Sequence, residues 1–166
     1  MVKKQRPAGF TLTEMMITVA IVGILSSIGS VLMVQVNKQF LLANTRIDLQ
    51  REVRAAMNIM IRQLRQAQNA TIVLDRHSSS QPFYSRITFT TQQGKTVRFY
   101  QDGKQLIQKV NNNQITLSKN VRYLAFTFNR SDDMTIVSLS MTLEKALYQG
   151  GKKALHMASE QVQVMN

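Results

Sequence analysis

From Met15 to Val34 the chain reads MMITVAIVGILSSIGSVLMV, about twenty residues without a charge or a proline. At ~1.5 Å of rise per residue, a helix of that length matches a hydrocarbon layer of ~30 Å. Ser26, Ser27 and Ser30 dilute the run, but serine hydroxyls can bond back to helix carbonyls. Lys3, Lys4 and Arg6 stand before it. Their charge predicts a cytoplasmic N-terminus and export of everything beyond the apolar run. A cleaved secretory signal would be shorter and would end in a small-x-small site; here the sequence past Val34 continues in helical style. Glu14 sits at the mouth of the run. A carboxylate at that depth is expensive and calls for a partner.

The residues around it have a specific order, Gly9-Phe10-Thr11-Leu12-Thr13-Glu14, followed by the apolar helix. This resembles the leader and mature N-terminus of the type IV pilin and pseudopilin superfamily. The resemblance implies a basic leader, 1–9, removed by a membrane-embedded prepilin peptidase that cuts after Gly9 and N-methylates Phe10. It implies that Glu14 is neutralised by the α-amino group of Phe10 on an adjacent subunit, setting axial register in a filament. The partners implied are the peptidase, other pilin-like subunits, an inner-membrane assembly platform and membrane lipid. Many major pilins break the membrane helix with a proline; this chain has none there. That departure leans toward a minor pilin or minor pseudopilin, with a place in an initiating or tip complex.

Neither proline nor glycine occurs from Val31 to Ala70, so one helix is predicted from about Phe10 to about Gln68. Apolar positions Val36, Phe40, Ala43 and Ile47 form one stripe; Val53, Met57, Met60, Leu64 and Ala67 form another. The second is expected to pack on the chain's own sheet, with its methionines as core filler. Segments 10–35 and 36–68 are thus read as assembly helix and amphipathic continuation, and 69–166 as a β-rich head.

In the head the apolar period shifts toward two. Strands are predicted at 86–91, 97–101, 105–110, 115–117 and 121–129, at 137–143 with Val137, Leu139, Met141 and Leu143 on one face, and at 155–164. Asp102-Gly103, Gln93-Gly94 and Asn111-Asn112-Asn113 are turn signals. The loop His77–Tyr84 is expected to join helix to sheet. The fold class is therefore α+β, a long helix followed by an antiparallel sheet.

Chemistry finds little to work with. No cysteine is present among the 166 residues, and the two histidines, His77 and His156, lie far apart with ordinary neighbours. No zinc-protease, phosphate-loop or nucleophile-elbow pattern occurs. Ser131-Asp132-Asp133 is read as a solvated turn in preference to a calcium loop, and Tyr148–Lys153 as a basic loop. No catalytic residue, cofactor or metal is expected. Charge is lopsided, 21 Lys+Arg against 9 Asp+Glu, net +12 and still +9 once Lys3, Lys4 and Arg6 are lost. Such a surplus suits anionic partners, nucleic acid included. Arginines 46, 51, 54, 62 and 65 do not form a compact run, and no base-reading module accompanies them. The leading expectation is a non-enzymatic structural subunit anchored in the cytoplasmic membrane, with its head exported. The alternative is a binding module for DNA uptake or adhesion on the same stalk.

Overall fold

The structure, a computed structural model, describes residues 9–130, 134–147 and 151–164. The turn at Ser131-Asp132-Asp133, the first half of the loop Tyr148–Lys153 and the leader charges Lys3, Lys4 and Arg6 lie outside the described residues. The chain divides into two units, Met1–Leu41 and Leu42–Asn166.

Among the described residues of the first unit, the sole regular element is the N-terminal portion of α1, Leu12–Leu64. Every described residue from 9 to 41 is exposed. The helix is long and apolar enough to cross a membrane. The three serines bond back as their chemistry suggests. Ser26 Oγ donates to the Val22 carbonyl at 2.8 Å, Ser27 Oγ to that of Ile24 at 2.7 Å, and Ser30 Oγ to that of Ser26 at 3.1 Å. Their polarity is thereby met inside the helix, which is what a medium without water requires.

The described residues of the second unit hold the rest of α1, a short 3-10 turn at Asn69–Thr71 and eight strands. These are β1 Val73–Asp75, β2 Arg86–Thr90, β3 Thr96–Asp102, β4 Gln105–Val110, β5 Asn113–Ser118, β6 Val121–Phe128, β7 Ile136–Ala146 and β8 Lys153–Gln163. All pair antiparallel. The α+β expectation holds, with a refinement: the strands form two sheets, β1-β2-β3-β4-β5 and β6-β7-β8. After β5 the chain turns at Lys119-Asn120, and β6 takes β7 as its partner instead of β5. Two backbone bonds tie β6 to the first sheet, from Val121 N–H to the Lys104 carbonyl and from Phe126 N–H to the Tyr84 carbonyl, each 2.8 Å.

A single apolar core joins these parts. Leu49, Val53, Ala56, Met57, Met60 and Leu64 present one face of α1 to it. The first sheet adds Ile87, Phe89, Val97, Phe99 and Leu106; the second adds Leu124, Phe126 and the alternating Val137, Leu139, Met141 and Leu143 of β7. Each such side chain contributes about 1.5–3 kcal/mol by leaving water. The stripe through Val53, Met57, Met60, Leu64 and Ala67 is buried throughout, as predicted. Val36, Phe40, Ala43 and Ile47 are exposed.

Four details depart from the sequence reading. The helix stops at Leu64, short of Gln68. Gln66 and Ala67 N–H bond three residues back in a tightened turn, and then Gln68 N–H donates to the Thr90 carbonyl at 2.9 Å, drawing the chain toward β2. Strand β1 was not foreseen, and the His77–Tyr84 loop accordingly connects β1 to β2. The β3–β4 hairpin turns on Gly103-Lys104, because Asp102 pairs with Gln105. Gly103 has φ +56° there, a conformation that favours glycine. The asparagine turn is centred on Asn111, at φ 50°, while Asn113 already belongs to β5.

Candidate functional site: the capped start of the apolar helix

Thr11 and Glu14 are three residues apart at the start of α1, and the chain folds them onto each other. Thr11 N–H donates to Glu14 Oε2 at 2.9 Å, and Thr11 Oγ1 donates to the same oxygen at 2.8 Å. In return Glu14 N–H donates to Thr11 Oγ1 at 3.3 Å. This is a capping box, in which an N-cap hydroxyl and a carboxylate three residues on satisfy each other's free backbone donors. Met15 N–H to the Thr11 carbonyl, 3.2 Å, is the first bond of the helix proper. An acid in the first turn also suits the positive end of the helix dipole.

Among the described residues no cation pairs with Glu14. Its hydrogen bonds are met locally, while its charge is not. That distinction decides what the site can do: it can keep a charge-compensating partner from outside.

Just upstream, Gly9 and Phe10 are irregular in backbone and open to solvent, Phe10 at 82% exposure. A Cβ on Gly9 would meet nothing within 4 Å, and its φ is not in the left-handed range. The fold therefore does not require glycine at position 9. Gly9 and Phe10 are both exposed and outside any helix or strand, so the bond between them is open to a peptidase. The structure thus brings Thr11 and Glu14 together; Gly9 and Phe10 lie beside them, and Lys3, Lys4 and Arg6 fall outside the described residues. Thr11 escaped the sequence reading, although the T-x-x-E spacing ahead of an apolar run was its signal.

Residues 4–33 match the family model described as the prokaryotic N-terminal methylation motif. The chain carries a type IV pilin-like N-terminus. No curated protein and no solved structure matches it. The motif marks a type IV pilin-like prepilin peptidase substrate that assembles with other pilin subunits, and it belongs to proteins that are generally structural, not enzymatic. The long apolar helix of this pilin-like chain fits anchoring in the inner membrane.

Elsewhere the pilin-like head offers ion pairs. Asp75 and Arg86 pair across β1 and β2, and this bond holds the Arg86 guanidinium above its ordinary range. Glu144 on β7 takes both Lys153 of β8 and Arg122 of β6. The hydrogen bond from Lys153 is the main cause of its lowered carboxyl pKa. Glu52 on α1 accepts from the Asn120 amide at 3.0 Å. His77 stacks on Tyr100 with ring centroids 4.3 Å apart, and His156 faces Leu143 across the β7–β8 ladder. Among the described residues there is no group of three or more His, Asp or Glu side chains arranged to hold a metal.

Proposed function

We propose that this chain is a minor pilin or minor pseudopilin, a non-enzymatic subunit of a type IV pilus or a type II secretion filament. In this reading it is cut after Gly9 and N-methylated on Phe10. The apolar part of α1 crosses the cytoplasmic membrane with its N-terminus inside and its head exported. The chain then leaves the bilayer as part of a filament or its initiating complex.

One observation carries the reading. Among the described residues Glu14 is hydrogen-bonded yet has no cation beside it, at the threshold of a fully exposed apolar run. In lipid such a charge costs several kcal/mol, and a nearby positive group removes that cost. Cleavage at Gly9 would create a suitable cation, the amine of Phe10. Within one chain the short arc of Thr11 already occupies the carboxylate, so the compensating amine comes from a neighbour. The glycine supports the same reading, since its smallness answers to no contact inside the molecule.

N-terminal sequencing of the protein isolated from its native membrane tests this. The chain should begin at Phe10 with a methylated amine. A mature protein that begins anywhere else refutes the reading.

A further inference from the structure

Seen along the chain, the arginines of α1 look scattered. Wound on the helix, four arginines line up, the last of them Arg65, one residue past its end, where its N–H still bonds the Ile61 carbonyl at 2.9 Å. Arg51, Arg54, Arg62 and Arg65, with Asn58 between them, follow spacings of three, four, four and three. At 3.6 residues per turn these positions fall within an arc of about 80° and run for roughly 21 Å. The core-facing residues Leu49, Val53, Met60 and Leu64 lie on the opposite side of the helix, and all five stripe residues are exposed. The absence of a compact run is thus a property of the linear order alone; only Arg46 falls off the stripe.

None of these four arginine side chains makes an ion pair or a hydrogen bond among the described residues. Like charges at i and i+3 oppose helix formation, and the pairs Arg51–Arg54 and Arg62–Arg65 both have that spacing. The lower end of the stripe borders a cleft of about 680 Å³ lined by Asn58, Ile61, Arg62, Arg65, Gln66 and Glu160.

We propose that this stripe is a docking surface for an acidic helical face of a different protein chain. Charge complementarity demands the acid. The three-four-four-three spacing is that of residues on one side of a helix, so a second helix can present carboxylates in the same rhythm, and guanidinium groups take carboxylates in bidentate pairs. A second copy of this chain does not fit. Its own stripe would repel, and α1 carries only Glu14, Asp48 and Glu52 as acids, of which Glu52 already serves Asn120. A nucleic-acid strand fits less well: Glu160 flanks the cleft, Asn58 interrupts the charge, and the stripe holds no aromatic ring for a base to stack on. The proposal goes beyond the assembly reading above by stating the chemistry of a neighbour, and it does not depend on cleavage or on Glu14.

The test uses the full chain in uncharged detergent. The probe is a fluorescent helical peptide of about 20 residues bearing glutamates at the same three-four-four-three spacing. Fluorescence anisotropy should show binding that weakens as salt is added. The double variant Arg54→Glu, Arg62→Glu should lose about tenfold or more in affinity while keeping the wild-type melting temperature. That variant should in turn bind the matching lysine peptide. No binding of the acidic peptide overturns the proposal. So does binding to duplex DNA at least as tight as to the peptide, or salt-sensitive self-association of the wild-type chain through this face. Each of these results leaves the N-terminal sequencing experiment unaffected, so the two readings fail separately.

Discussion

Leu64 is the last helical residue of α1 and is fully buried, the deepest test of how the helix holds the head. Replacing it by aspartate removes a leucine from the core, a change that costs about 2–5 kcal/mol for the shortening alone. It also leaves a carboxylate with no partner among apolar neighbours, costing several kcal/mol more, or forcing the group to take up a proton. The sum reaches the whole stability of an ordinary domain, about 5–15 kcal/mol. Leu64→Asp should therefore unfold the head, and Leu64→Ala should lower its melting temperature by roughly 10 °C. The same carboxylate introduced at exposed Asn58, six residues earlier on the far face, should change stability by less than about 0.5 kcal/mol. All four tyrosines, Tyr84, Tyr100, Tyr123 and Tyr148, belong to the second unit, and tryptophan is absent. The tyrosine band of the near-ultraviolet circular dichroism, recorded on the full chain in detergent, hence follows the head. Equal melting of Leu64→Asp and Asn58→Asp would refute the packing argument.

Three further outcomes are expected. Glu14→Ala should insert in membranes normally yet be missing from sheared or purified filament fractions, whereas Thr11→Val, which breaks the capping box alone, should cost the helix start about 1 kcal/mol and spare insertion; equal incorporation of Glu14→Ala and wild type would contradict the charge-compensation reading. The lowered carboxyl pKa of Glu144 makes its contribution to stability complete at neutral pH and lost as pH falls through its folded value, which lies below the ordinary 4.5; melting temperatures of wild type and Glu144→Gln should thus differ at pH 7 and converge in acid, and a gap that persists there would rule the mechanism out. Gly103→Val should destabilise the head by about 1–2 kcal/mol through its backbone alone, because φ is +56° and the added Cβ meets no neighbour; a melting temperature equal to wild type would show that the hairpin turn differs from the one described.

How far the residues announced this architecture depended on whether the signal was local. The buried stripe of α1 and the alternation of β7 came through because each is a one-dimensional period that maps onto one face. Turns at Gly94 and Asn111 came through because backbone angles there restrict the residue type. Strand β1 is three residues long, too short for a period, and exists by pairing with β2. The choice of β7 over β5 as the partner of β6 is a tertiary decision with no local mark, so one sheet was expected and two were found. The capping box is written in the spacing of Thr11 and Glu14, but the charge of the acid masks its hydrogen-bonding role in the linear sequence. The arginine stripe was hidden for a related reason: spacings of three and four look irregular in print and become a line only when wound on a helix.

Gly9, like Gly23 and Gly29, has no described neighbour that would limit its side chain. Among the described residues nothing surrounds it, and a larger side chain there would displace none of their atoms. Purified variants at this position will melt, fold and insert like their parent, and a screen that ranks substitutions by thermal shift will score it as dispensable. On the cleavage reading proposed above, what demands glycine there stands outside the polypeptide, and its effect shows only where the processing enzyme is present.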